Sequence, residues 1–305
     1  MATFGPNFPC LLALSLAAPQ AGLAQSTAPP PVRPTIINSS ADLAMRMTVP
    51  VTIDGSGPYQ FVVDTGADRS VISRELADRL GLAPAGEATL QSMAGVERVP
   101  TVTVKRLGVA GLIIPHIDAP ALAEENLGAQ GLLGIDSLQN RRIIMNFSAQ
   151  TLTIAEPGVR EPVDPDTIVV TARSRYGQLV LVDAQIDGVP VTVIIDSGAQ
   201  NTIGNPALRA LLMKRHRKMT FISTYLIDVT GGHLAADVAM VSKVRIGGIN
   251  LRQVVVAFAD AHPFQRFGLQ NRPAMLLGIN TLRSFRRVSV DFAQRKVRFL
   301  LPGDV

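Results

Sequence analysis

"FVVDTGADRSVIS", residues 61–73, and "VTVIIDSGAQNTIGN", residues 191–205, decide how this chain is read. In each, a run of apolar, largely β-branched residues leads into Asp-(Thr/Ser)-Gly-Ala. Such a run has the composition of a buried strand. An aspartate is therefore carried to the end of a buried element, where a carboxylate is costly to desolvate. A lone D-[ST]-G is ordinarily a turn, with Asp capping and Gly taking a positive φ. One D-[ST]-G-A arises by chance in about one chain in a hundred of this length. Two copies, each behind a strand-like run, point to two carboxylates brought together on purpose, Asp64 and Asp196.

The rest of the chain supports a folded, core-rich protein. Of its 305 residues, 47% are hydrophobic and 17% charged, which excludes a disordered polymer. Short alternating segments rich in Val, Ile and Thr, separated by Gly and Pro, read as mainly β. The formal charge of +5 raises the question of nucleic acid, but no Trp and only three Tyr leave few stacking platforms, and no nucleic-acid partner is expected. The densest basic run, Lys214 to Lys218, follows a helix-like "NPALRALLM" and reads as a solvated helix end, where cations suit the macrodipole. Cys10, the one cysteine, lies in the apolar run "FPCLLALSLAAPQAGLA". That run is too short to span a bilayer and ends in small residues. It reads as a signal peptide over 1–24, although no Lys or Arg precedes it. The expected location is periplasmic or secreted, with no stable membrane span.

The remainder is one lobe written twice. A Pro-rich linker is expected at 25–43, a first lobe at 44–156, a second linker at 157–167 and a second lobe at 168–305. In the first lobe "MTVPVTIDGSGPYQFVVDTGA" is strand, glycine turn and strand; "LVLVDAQIDGVPVTVIIDSGA" repeats it. Helix-like "SRELADRLGL" and "NPALRALLMKRH" follow the two aspartates. Then come glycine-containing hairpin tips, "SMAG" and "DVTGGH", a further strand-turn-strand, and finally "LLGIDSLQNRRIIMNF" and "LLGINTLRSFRRVSVDF". The second lobe is longer, with part of the excess in "ADAHPFQRFGLQNRPA". Loops of this kind tolerate insertion and often contact ligands.

This repeated pattern resembles the bacterial retroviral-type (retropepsin-like) aspartyl proteases, with two lobes fused in one chain, over roughly residues 44–302. The resemblance rests on the two Asp-(Thr/Ser)-Gly-Ala strings, on Leu132-Leu133-Gly134 and Leu276-Leu277-Gly278, and on the segments that follow them. It implies an all-β, two-lobed pepsin/retropepsin-like fold with a few short helices. It implies an aspartic endopeptidase using Asp64 and Asp196 as one dyad on a peptide or protein substrate. It also implies support of the active-site loops by Thr65, Gly66, Ala67, Ser197, Gly198 and Ala199, with the two hydroxyls bonding across the lobes. Flaps would lie at Ala94 and Gly95 and at Gly231, Gly232 and His233. The first tip departs from the pattern, having one glycine where two are expected.

The neighbouring acids read differently. Asp68 is matched by Gln200 and reads as a surface residue; Asp136 is matched by Asn280 and reads as a helix cap. Ser70 and Thr202 occupy equivalent places and suit a loop-stabilising hydrogen bond. The histidines His116, His216, His233 and His262 are scattered, without zinc-ligand spacing, so no metal or cofactor is expected. With both aspartates in one chain, a monomer with an internal pseudo-two-fold is expected, and a homodimer is the second option. The rival reading is a non-catalytic peptide-binding or scaffold protein that keeps the fold.

Overall fold

A computed structural model of the chain describes residues 35–38, 40–41, 45–138, 140–156, 164–181 and 183–302. The run expected as a leader, Cys10 and most of both Pro-rich stretches lie outside the described residues.

The strand Ser56–Val63 is exposed where it starts and fully buried at Phe61, Val62 and Val63, so the chain enters the core as it reaches Asp64. It pairs antiparallel with Met47–Ile53 and parallel with Gly131–Leu133, with Val63 opposite Leu133. Gly131–Leu133 pairs on its other side with Val71–Ser73. The Leu-Leu segment thus threads between the strand before Asp64 and the strand after it. Buried on both faces, it is apolar throughout rather than alternating. The second lobe repeats this arrangement. Thr192–Ile195 runs parallel to Ala274–Leu277, with Ile195 opposite Leu277, and Ile203–Gly204 pairs on the far side.

A helix follows each of these loops, capped as its sequence dictates. The Ser73 hydroxyl accepts from Leu76 N at 3.1 Å to open Arg74–Arg79. Asn205 Oδ1 accepts from Leu208 N at 2.9 Å to open Pro206–Arg215, whose proline sits at the tolerant first turn. Leu208 and Leu212, four residues apart, bury one face of that helix. The basic run Lys214 to Lys218 is exposed at its end. Each lobe then builds a long hairpin: Pro84–Gln91 with Val96–Val109, and Ile222–Ile227 with His233–Ile246.

The lobes share a sheet. Arg142–Asn146 pairs antiparallel with Arg287–Asp291, Ile144 opposite Ser289. Thr151–Ala155 and Thr35–Asn38 extend it on the first-lobe side, Lys296–Leu300 and Thr167–Arg175 on the other. Thr35–Asn38 falls inside the stretch expected as a linker; that end of the stretch is a sheet strand. One apolar cluster runs from Val49 and Phe61 through Ile143 and Met145 to Val288, Val290 and Phe299. Fully burying each such side chain stabilises by about 1.5–3 kcal/mol. The junction is therefore core, not a hinge between separate bodies. The architecture is all-β and two-lobed, with a few short helices.

Candidate active site

Asp64 and Asp196 end their buried strands at 9% and 7% exposure. Asp64 Oδ1 accepts from Gly66 N at 2.8 Å and Ala67 N at 3.0 Å. Asp196 Oδ1 accepts from Gly198 N at 3.1 Å and Ala199 N at 3.0 Å. Each loop thus folds back on its own carboxylate and spends one oxygen doing so. Each carboxylate also lies against the opposite loop. A Cβ on Gly198 would stand 2.1 Å from Asp64 Cγ, and one on Gly66 would stand 2.6 Å from Asp196 Cγ. The two glycines are required by this close approach of the carboxylates.

The hydroxyl residues lock the loops together. Thr65 N donates to Ser197 Oγ at 3.1 Å, and Ser197 N donates to Thr65 Oγ1 at 3.1 Å. Thr65 Oγ1 donates to Ile195 O at 3.1 Å; Ser197 Oγ donates to Val63 O at 2.8 Å. All four bonds are buried and all cross between lobes. Breaking one would orphan a buried polar group at a cost of about 1–3 kcal/mol.

A second pair of networks holds each loop from below. Asp136 accepts from Ser70 N at 2.9 Å and from Ser70 Oγ at 2.8 Å, and the Ser70 hydroxyl meets Ser137 Oγ at 2.7 Å. In the second lobe Asn280 Oδ1 accepts from Thr202 N at 2.9 Å and Thr202 Oγ1 at 2.8 Å. Asp136 lies in the first turn of Ile135–Leu138, where its carboxylate accepts from Ser137 N at 2.7 Å and so serves the helix end, and it also ties the aspartate loop to that helix through Ser70. Gly134 and Gly278 let this happen. A Cβ on Gly278 would stand 2.3 Å from Asn201 O, and one on Gly134 would stand 2.5 Å from the Arg69 carbonyl carbon. Asp68 is exposed and ion-paired with Arg266 across the lobes at 2.6 Å.

Two polar side chains that sequence reading passed over complete the floor. Arg46 Nη1 donates to Gly198 O at 3.3 Å, and Arg46 Nη2 donates to Leu127 O. Gln178 Nε2 donates to Gly66 O. Both are buried and line the cleft. They stand at the same offset before their aspartates, so superposing the halves by eye would have paired them. Burial pushes both carboxyls above the ordinary 3.8, against the pull of the loop amides and of Arg46. Asp196, raised further by the Asp64 charge, reaches about 7. Two facing carboxyls so placed titrate as a pair and favour holding one proton between them.

A cleft of about 720 Å³ opens above the pair. The hairpins line its roof through residues 89–93 and 225–229, and Asn126 and Phe267 line it from the two lobes. The roof is crossed. Met93 of the first hairpin packs with the second-lobe cluster of Ile194, Phe264 and Leu276. Val229 of the second packs with the first-lobe cluster of Leu122, Leu127 and Leu132. Of the expected flap residues, Ala94 donates its amide to Asp228, Gly95 closes its tip by accepting from Ser92 N at 2.8 Å, and Gly231 takes φ +86°. Gly232 lies against Ala94. His233 is exposed, its ring edge-on to Tyr225 at 6.4 Å, outside the cleft lining. Sequence reading missed Met93, Val229 and Asp228. An apolar residue at each otherwise small or polar tip was the available signal.

Paired aspartate loops in a two-lobed β fold, roofed by two hairpins, define the aspartic protease class of architecture. The comparisons agree. A family model described as "gag-polyprotein putative aspartyl protease" matches residues 49–140, and one described as "Aspartyl protease" matches residues 182–281. The chain carries two aspartyl protease domains in tandem, the arrangement of a retropepsin-like protease with both lobes in one chain. No curated protein matches it significantly.

Proposed function

We propose that the chain is an aspartic endopeptidase in which Asp64 and Asp196 act as one catalytic dyad on a peptide or protein substrate. The observation that carries this reading is the reciprocal seating of each carboxylate over the other loop's glycine. A water held between the carboxyls gives a proton to the ionised member as its oxygen adds to the scissile carbonyl carbon. The protonated member donates to the carbonyl oxygen. In the tetrahedral intermediate the proton taken from water passes to the amine nitrogen, the C–N bond breaks, and one hydroxyl of the diol returns its proton to the other carboxylate as the carbonyl re-forms. The dyad ends with one shared proton, ready to repeat. The loop amides and the cross-lobe hydroxyl bonds fix the carboxyls in advance, so little reorganisation accompanies reaction.

Asp64→Asn and Asp196→Asn should each lower cleavage of a peptide library by at least about a thousandfold, the scale of losing a general acid or base. A wild-type chain that cleaves nothing from acid to neutral pH would instead favour a peptide-binding scaffold. The singly protonated pair is the working form, so kcat/KM should fall as pH rises past the raised dyad value of about 7. A profile that has already collapsed at the ordinary carboxylate value of 3.8 would contradict the burial-raised dyad. The N-terminal apolar run supports an exported enzyme; N-terminal sequencing of the mature protein tests that, and separates leader removal from self-cleavage.

A further inference from the structure

We infer that Asp228 is the positioning residue that sets the closed state of both flaps, its carboxylate latching one hairpin tip to the other over the cleft. This deepens the proposed function and rests on it for its catalytic meaning; the contact itself does not. Asp228 is 6% exposed and lines the cleft roof. Its carboxylate gathers its own tip, accepting from Thr230 N at 3.0 Å, Thr230 Oγ1 at 2.8 Å and Gly232 N at 2.8 Å. The same carboxylate reaches across to Ala94 N at 3.0 Å, while the Ser92 hydroxyl donates to Gly95 O at 3.3 Å and closes the first tip. Ser92 is its counterpart in the first hairpin: Ser92 N donates to Gly95 O, as Asp228 N donates to Gly232 O. One flap thus carries the acceptor, and the other supplies the Ala94 amide as donor. Hydrogen bonds to an ionised acceptor are the stronger kind. Around this latch, Met93 and Val229 are exchanged into each other's lobes, so the carboxylate fixes the register in which both apolar tips seat.

Burial alone would raise the Asp228 carboxyl, but its donors outweigh burial and hold it below the ordinary 3.8. Opening the flaps removes the Ala94 donor of the first hairpin and relaxes that shift. The latch is therefore complete above the ordinary carboxylate value and is lost as pH falls through the lowered one. Other charged or titratable groups around the tips include, among the described residues, Glu97, which meets Thr230 Oγ1 at 3.2 Å, Arg98, paired with Glu87 on the first hairpin, Glu125 beside Asn126, His233 on the second hairpin and His262, whose amide holds Met93 O at 3.0 Å.

Flap spacing tests this without relying on catalysis. Nitroxide labels at Val96→Cys and Ala235→Cys, both exposed positions, in a Cys10→Ser background, report the hairpin separation by pulsed electron resonance. The wild-type chain should show one narrow distance distribution at neutral pH that broadens to longer distances in acid. Asp228→Asn should be broad already at neutral pH and respond little to acid. Glu97→Gln should keep the wild-type response. A narrow, unchanged distribution in a folded Asp228→Asn chain overturns the inference; so does acid opening that Glu97→Gln abolishes. Should Asp228→Asn fail to fold, a wild-type spacing that ignores pH still overturns it, while acid opening retained in Glu97→Gln supports it. A chain that latches but cleaves no peptide leaves the latch standing and removes only the protease reading.

Discussion

Ser197 Oγ takes part in two buried bonds at once, receiving Thr65 N and giving its proton to Val63 O. Ser197→Ala leaves both partners orphaned in the lobe interface. It should lower unfolding free energy by about 3 kcal/mol, read as a lower urea midpoint at unchanged slope. Activity should fall with it, because the carboxyls lose the frame that aims them. The buried aspartate pair makes stability depend on pH. A carboxyl raised from 3.8 to about 7 in the fold contributes stability that is fully present below its unfolded value and is lost as pH rises through the folded one. The wild-type melting temperature should therefore decline from acid toward pH 7, and Asp196→Asn should remove much of that decline. If the variant melts lower than wild type at pH 7 and follows the same pH curve, burial is not what raises the pair. At this scale the sequence was most legible. Asp64, Asp196 and their neighbours are contiguous strings whose roles follow from local strand-to-loop geometry. For Arg46 and Gln178 only the equal offset before the aspartates was legible; their roles were not, because each acts on a loop of the other lobe and has no motif of its own.

The threaded Leu-Leu-Gly strand is the element on which the loops rest. Ile135 N donates to Ala67 O and Ile279 N to Ala199 O, at 2.9 and 2.8 Å, so the backbone after each glycine braces the backbone after each aspartate. Gly278→Ala puts a methyl against the Asn201 carbonyl, with no flexible side chain able to yield. A cost of about 3 kcal/mol is expected from such overpacking, together with weakened peptide cleavage, measured by denaturant unfolding and initial rates. A variant as stable and active as wild type would mean that the loop relaxes freely. The Leu-Leu-Gly repeat was readable as core and loop, yet the reason for its glycine was not, since Asn201 is far from Gly278 in sequence. The hairpins were likewise visible as strand, tip and strand. What crosses between them was not, because the partners of Asp228 and Met93 lie in the other lobe, far away in sequence.

The whole molecule is a duplicated lobe built on a common sheet. The halves were legible from their repeated order of motifs. The pairing of Arg142–Asn146 with Arg287–Asp291 was not, since register between distant strands leaves no local mark. Both halves fall within one compact unit, Arg33–Val305, and each brings one aspartate. Specific activity should therefore be independent of protein concentration, with a monomer mass by sedimentation. A rate that climbs with the square of concentration would point to assembly of like lobes between copies. Duplication within one chain also frees the halves to diverge. Beside one aspartate loop stands the guanidinium of Arg46; at the matching place beside the other stands the neutral amide of Gln178. A symmetric pair of subunits offers a peptide two equivalent orientations. Here the two sides of the floor are chemically unlike, so under the proposed function a peptide laid amino end first meets a different floor from one laid carboxyl end first. For the proposed protease, this asymmetry gives the cleft a reading direction.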